Sequence, residues 1–396
     1  MNYLKVISHN STLAALQVKE VFNQYPGLAY ELITPETYGD KQKEIAFPGN
    51  PPANQLISEL YQTLLKGLAD IAIHSVNDLP YPLPTGLEVI ALIDSFDQTD
   101  SLVSHTDILL NELPSGITVV SVKTVEVLPY KTTPLQGKLA VVAIAENPEL
   151  AVLFEKNDIR NQFGRVTLVG FGPGDPDLLT IAGERSIAEA DIIFHDDLVD
   201  FNFLDRYKAE KIYVGKRRHC HSHEQDEINR MMADAAMNGK KVVRLKGGDP
   251  MIFAHGGEEV EYLKRNFIPV KVIPGVSTGT AVASLTQIPL TLRGIAKSVA
   301  FITGHAADIQ LPVADTLVCF MAGSTIHLIA AKAIAEGRDP NTPVALVYNV
   351  SLPDQKEYLS NLELLSRSEE KYPTPIIIII GEVVSFRKNP PINGLL

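Results

Sequence analysis

Five consecutive isoleucines, Ile376–Ile380, run from Pro375 to Gly381. β-Branched side chains are stiff at χ1 and favour extended backbone. A run with no polar alternation must be covered on both faces, as strands of a parallel sheet are. It is also far too short to cross a bilayer. The chain is therefore expected to hold a sheet sandwiched between helices, with this run as a buried parallel strand. Other short apolar runs alternate with helix-like stretches over most of the length, which defines an α/β fold.

In the first part, "YLKVIS", "AYELIT", "ADIAIHS", "LEVIALI", "GITVVSV" and "KLAVVAIA" read as strands. "TLAALQVKEVFNQY" reads as a helix capped by Ser11, and residues 53–67 as another. "LPYKTTPLQG" (128–137) reads as a crossing loop, and "ENPELAVLFEKNDIRNQFG" as a closing helix and linker. From Arg165 a second series begins with "RVTLVG", a helix at 177–189, "DIIFH", "KIYVG", a helix at 224–238 and "KVVRLK". A break near 288–298 precedes "SVAFITG", "TLVCFM", "PVALVYN" and the isoleucine run. The divisions expected are a first domain at 1–155, a linker at 156–163, and two lobes of a second module at 164–290 and 291–396.

The 396 residues carry a formal net charge of −12. That balance disfavours general nucleic-acid binding, which needs a basic face, and docking on an anionic membrane. Polar residues interrupt "MNYLKVISHNSTLAALQ", so no signal-peptide core is read there. Two cysteines, Cys220 and Cys319, make no disulfide framework. A soluble, cytoplasmic protein is expected.

Three glycine-rich turns carry the chemistry. "VTLVGFGPGDPDLLT" (166–180) places Gly170, Gly172 and Gly174 between a strand and a helix. Its spacing departs from G-x-G-x-x-G, so a dinucleotide reading is weak. "VVRLKGGDPMIFAHGGEE" (242–259) puts Gly247, Gly248 and Asp249 at another strand end, where open α/β sheets bind ligands. There bare glycines let backbone approach a ligand, and Asp249 can accept hydrogen bonds. "VIPGVSTGTA" (272–281) adds Ser277 and Thr278.

Taken in order, "GFGPGDPDLLT", "YVGKR", "RLKGGDP", "IPLT" and "VAFITGH" resemble the tetrapyrrole methyltransferases, and most of all uroporphyrinogen-III C-methyltransferase, over 164–388. The resemblance implies a two-lobed tetrapyrrole methylase fold with S-adenosylmethionine between the lobes. Pro173, Gly247, Gly248, Asp249, Ile252, Ser277, Thr278, Met321 and Val350 would line it, although Val350 stands where the family usually has glycine. The base of the family matches Asp196 and its acid Lys216. An electron-rich ring carbon would attack the activated methyl in line, so the enzyme supplies mostly alignment, with a carboxylate to take the proton released. Read without the resemblance, Asp196 and Asp197 could be a solvated turn, and Lys216 with Arg217 and Arg218 a surface basic run. The substrate is rich in carboxylates, and Arg217, Arg218, Arg244, Lys246 and Arg293 are its natural partners. Asp197, His255 and Leu292 replace the family's arginine, arginine and histidine, which leaves a different methylation state of the ring open. "HCHSH" (219–223) draws all its candidate ligands from one short segment, so no metal is expected.

Residues 1–155 resemble hydroxymethylbilane synthase (porphobilinogen deaminase) more loosely, through "ISHNSTLAALQ", "LLKGLADIAIHSVNDLPYPLPTGL", "DSLVS" and "LQGKLAVVAIAENPEL". This implies an α/β, periplasmic-binding-like domain. Cationic positions of that family are His9, Asn77, Val125 and Glu126 here, while Asp78 is kept. Neither cysteine lies in this part, so no dipyrromethane cofactor is expected. The reading is a non-catalytic domain fused to a methyltransferase, with a tetrapyrrole substrate and a homodimer as the family's habit. Alternatives are retained deaminase activity, or methylation of a later precorrin beside a tetrapyrrole-sensing domain.

Overall fold

The computed structural model describes residues 3–35, 53–95, 101–104, 124–127, 134–197, 199, 201–215, 225–305, 310–368, 370 and 372–387. The chain divides into two compact units, 1–163 with 265–268, and 164–264 with 269–396. The predicted strand "GITVVSV", residues 128–133 of the crossing loop, Lys216, Arg217, Arg218 and the "HCHSH" stretch lie outside the described residues. Among the described residues, no helix is long and apolar enough to cross a membrane.

The first unit runs β1 (Tyr3–Ile7), α1 (Thr12–Asn23), β2 (Ala29–Ile33), α2 (Ala53–Leu65), β3 (Ile71–Ser75), β4 (Leu87–Asp94), β5 (Ser101–Ser104), β6 (Thr124–Val127), β7 (Lys138–Ile144) and α3 (Pro148–Glu155). Its main sheet has the order β2-β1-β3-β7-β4, with β1 parallel to both neighbours and β7 antiparallel to both of its own. Ser11 caps α1, its hydroxyl accepting from the Ala14 amide at 3.1 Å. α1 then turns Ala14, Val18, Val21 and Phe22 inward at helical spacing. Val18, Val21 and Phe22 join Leu4, Ile71 and Val141 in one core.

The stretch 156–163, which the sequence suggests is a linker, closes this sheet. Edge strand β4 bulges between Val89 and Ala91, leaving ladder groups without strand partners. Arg160 donates to the Val89 and Ile90 carbonyls at 3.0 and 2.7 Å. Asp158 accepts from the Leu92 amide at 3.2 Å and pairs with Arg160 at 2.7 Å.

The second unit has two lobes. The first holds β8 (Arg165–Gly172), α4 (Ile181–Ala188), β9 (Ile192–His195), β10 (Glu210–Tyr213), α5 (Gln225–Met237), β11 (Lys241–Gly247), α6 (Gly256–Arg265), β12 (Val270–Ile273) and α7 (Thr278–Thr286). Its strands are all parallel in the order β10-β9-β11-β8-β12. The second lobe holds β13 (Val299–Thr303), β14 (Thr316–Phe320), α8 (Ile326–Ala335), β15 (Pro343–Tyr348), β16 (Lys356–Asn361), α9 (Leu362–Ser366) and β17 (Ile376–Ile380), with the sheet order β13-β14-β17-β15-β16. Ala281, Val282 and Ile288 of the first lobe share a core with Val318, Phe320, Ala345 and Ile377 of the second.

The isoleucine strand is central and buried on both faces, as expected. Its direction differs from the expectation: β17 is antiparallel to both β14 and β15. Full burial selects a continuous apolar run whichever way the neighbours point, so composition encodes the layering and not the polarity of the ladder.

In the first unit His74 is 2% exposed, with Nε2 at 3.3 Å from the Tyr61 hydroxyl and no partner on Nδ1. Burial, helped by His9, pushes its imidazole down to about 3. A folded-state value below the unfolded 6.5 means that the unfolded chain binds the extra proton, so stability falls as pH drops through the window from 6.5 towards 3. Acidifying from about pH 7 to pH 5 is expected to remove roughly 2 kcal/mol through this group. His74→Phe should flatten that slope in urea titrations of the whole chain; an unchanged slope would assign the loss to other groups.

Candidate active site

All five strands of the parallel sheet end on one edge. β8 continues to β9 and β11 continues to β12, so the chain leaves these adjacent strands in opposite directions. That is a topological switch point, where open α/β sheets form their ligand crevice. The three glycine-rich turns meet there. Gly172 and Gly248 form a two-way bridge, with amide-to-carbonyl distances of 2.7 and 3.2 Å. A Cβ placed on Gly170 would stand 2.6 Å from the Gly248 carbonyl oxygen, and one on Gly275 would stand 2.7 Å from Gly170 Cα. The backbones touch because no side chain intervenes, so the turns pack peptide against peptide at the sheet edge.

Asp249 fastens this seam. One carboxylate oxygen accepts from the Met251 amide at 2.9 Å and the other from the Gly275 amide at 3.0 Å. The sequence casts Asp249 as an acceptor for ligand; two of its acceptor sites serve the loops themselves. Ser277 is buried and caps α7 through the Gly279 amide at 3.3 Å. The Thr278 hydroxyl lies 3.5 Å from where a Gly248 Cβ would be. Pro173 and Gly247 are half-buried on the same edge, and Ile252 packs against the core shared by the lobes.

The second lobe faces this edge with two strand-end loops. Met321 follows β14 with φ of 53°, and Asn349 and Ser351 flank Val350 with φ of 48° and 73°. Phe253 and His255, beyond Asp249, are also left-handed. Non-glycine residues held there are strained, and such strain gathers at ligand sites. The Ser351 hydroxyl accepts from the Asp175 amide at 3.0 Å, joining the loops of the two lobes. Val350 packs into the shared core and is 4% exposed as a whole residue.

Asp196 follows β9, at the same edge of the parallel sheet as the seam. Arg244 Nη2 is 3.6 Å from its Oδ2, an ion pair whose side chains are 6% and 25% exposed. Arg244 and Lys246, which the sequence suggests for substrate carboxylates, are instead buried and already paired. Lys246 Nζ is 2.6 Å from Glu259 Oε1, and Arg244 donates to the Leu245 carbonyl at 2.8 Å. Burial, with Arg244 adding to it, holds the Lys246 amine below its ordinary value. Strand alternation places residues 244 and 246 on one face of β11, and that face is covered rather than open. Arg293 is exposed on the turn after "IPLT". Asp197 accepts from the Tyr213 hydroxyl at 2.7 Å. Lys216 and Arg217 fall outside the described residues.

Sequence reasoning passed over Glu259, Ser351 and the Gly170–Gly275 contact. Glu259 left one signal: two cations inside an apolar strand require a buried acid from another element.

Residues 165–365 match the tetrapyrrole (corrin/porphyrin) methylases, and the chain belongs to that family. Residues 4–149 match the dipyrromethane cofactor binding domain of porphobilinogen deaminase. Among its relatives are siroheme synthases, 44% identical over 240 residues in Pseudomonas putida and 45% over 236 in Azotobacter vinelandii. Each alignment covers 57% of this chain and 51% of the relative, so the chain spans about half the length of these proteins. A solved uroporphyrin-III C-methyltransferase of Thermus thermophilus is 36% identical with a TM-score of 0.51, covering 59% of this chain and 99% of that one. Another structure of the Thermus thermophilus enzyme, complexed with S-adenosylhomocysteine, is 39% identical with a TM-score of 0.50, covering 56% and 100%.

Gly275→Ala forces a methyl into the seam and is expected to cost about 1–3 kcal/mol of stability. Gly257→Ala, where nothing lies within 4 Å, should be neutral or slightly stabilising. Urea midpoints of the two variants check the contrast, and equal effects would mean that the seam tolerates side chains.

Proposed function

We propose that this chain transfers methyl groups from S-adenosylmethionine to two ring carbons of uroporphyrinogen III, giving precorrin-2 for sirohaem or cobalamin formation. The observation that carries the reading is the close-packed seam of Gly170, Gly172, Gly248 and Gly275 at the switch point, where a side chain on Gly170 or Gly275 would collide with neighbouring backbone. A floor of this kind suits the adenosyl and amino-acid ends of the donor, with Pro173, Gly247, Gly248, Asp249, Ile252, Ser277 and Thr278 proposed for one wall. Met321 and the backbone of Val350 form the opposite wall. The Thermus thermophilus relative that binds S-adenosylhomocysteine, the demethylated donor, supports this choice.

The chemistry asks for alignment more than for a strong catalyst group. A ring carbon attacks the sulfonium methyl, the S–CH3 bond breaks as the C–CH3 bond forms, and S-adenosylhomocysteine leaves. The methylated ring carries the positive charge and sheds a proton to regain neutrality. Asp196, at the sheet edge and one quarter exposed, is the proposed acceptor. Lys216 is the proposed proton donor in the rearrangement. Arg217 and the exposed Arg293 are the proposed partners of the substrate carboxylates.

The first unit is proposed to be non-catalytic. Around Asp78 the stretch "HSVNDLP" offers no lysine or arginine, and burial keeps His74 uncharged near neutral pH. A growing polypyrrole chain rich in carboxylates needs cations there.

The full chain, incubated with S-adenosylmethionine and uroporphyrinogen III, should yield a product two methyl groups heavier by mass spectrometry. Asp196→Ala should lower the rate by about a hundredfold or more. Gly248→Arg should abolish S-adenosylhomocysteine binding, and Asp78→Ala should leave both intact. Transfer only to an already methylated precorrin would overturn the acceptor, and consumption of porphobilinogen would overturn the reading of the first unit.

A further inference from the structure

Four charged side chains run from the interior of the parallel sheet to its ligand edge. Glu259, on the first turn of α6, is fully buried. Its Oε1 receives Lys246 Nζ at 2.6 Å, Gln225 Nε2 at 3.2 Å and Arg244 Nε at 3.5 Å. Arg244 Nη2 in turn meets Asp196 Oδ2 at 3.6 Å. Of the four charges only Asp196 reaches solvent to any extent.

Stability alone gives no reason for this arrangement. Taking each ion out of water costs several kcal/mol, and apolar residues of equal volume are often at least as stabilising. Two cations on one face of a central strand therefore call for a use, and the arrangement shows which. Arg244 is held through Nε by the buried Glu259 carboxylate, and through Nη2 it meets Asp196, the carboxylate that follows β9. The Leu245 carbonyl, accepting from Arg244 Nη1 at 2.8 Å, fixes the plane of the guanidinium. The contact at 3.6 Å is a charge pairing without a tight hydrogen bond, so it orients Asp196 by charge.

We infer that Glu259 is a positioning residue for methyl transfer, acting through Arg244 to hold the Asp196 carboxylate at the edge of the seam. This rests on the role proposed above for Asp196. It assigns Arg244 and Lys246 to the support of the site instead of to the substrate's carboxylates.

Glu259→Gln keeps the shape and removes the charge. It should retain S-adenosylhomocysteine affinity within about threefold and the KM for tetrapyrrole within about threefold, while kcat falls about tenfold or more. Combined with Asp196→Asn, it should lower kcat no further than Asp196→Asn does alone. Unchanged kcat, or losses that multiply in the double variant, would overturn the inference, as would loss of S-adenosylhomocysteine binding. If Glu259→Gln does not fold, the paired change Glu259→Gln with Lys246→Met removes both charges together and is read by the same criteria. A crystal structure of whichever variant folds supplies a test independent of turnover: the Asp196 carboxylate should move away from Arg244, and an unmoved Asp196 rejects the inference. A wild-type chain that leaves uroporphyrinogen III unmethylated would reject the proposed substrate, and the crystallographic comparison would still decide the positioning role.

Discussion

The contact of glycine backbone on glycine backbone at the ends of β8, β11 and β12 is the constraint on which the second unit is built. Gly170, Gly248 and Gly275 come from three loops far apart in sequence, yet each occupies the space where a neighbour's Cβ would stand. Close packing of this kind sets the depth of the crevice floor by peptide thickness alone. Asp249 then binds two of the loops together through backbone amides, so that the floor is rigid without help from a ligand. A preformed floor saves a bound molecule the entropy of ordering those loops.

Much of this was legible in the sequence because the signals are local. Ser11 ahead of an apolar-periodic stretch predicts a capped helix, and the cap forms. Glycine pairs directly after apolar runs predict tight strand-to-helix turns at one sheet edge, where they are found. What was not legible depends on partners distant along the chain. Arg244 and Lys246 look alike as ligands for a substrate or as halves of internal ion pairs; only folding brings Glu259 to them, 15 and 13 residues on. Asp158 and Arg160 look like part of a loose connector until they reach strand β4, more than 60 residues back. Likewise, an all-isoleucine strand carries no mark of direction, since every position is buried on either polarity.

The two units use buried ionisable groups differently. In the first, His74 is held neutral against Tyr61, and the sheet edge is covered by an arginine that serves backbone carbonyls. In the second, four charges are linked in a line that ends at the crevice. The first pattern reads as architecture, while the second reads as architecture bent to a task, because its outermost member is one quarter exposed. This contrast agrees with the proposal that methyl transfer belongs to the second unit.

The central place of β17 also has a consequence for the order of folding. The pairs β13-β14 and β15-β16 are joined only through this strand, which is the last of the sheet in sequence. A nascent chain that has emerged only as far as β16 holds every strand of the parallel sheet, but not the strand that joins the second sheet. The loops bearing Met321 and Val350 sit at the ends of β14 and β15, on either side of the gap that β17 fills. Such long-range pairing is slow to form. The strands that carry the glycine floor thus all precede, along the chain, the one strand that unites the wall facing it.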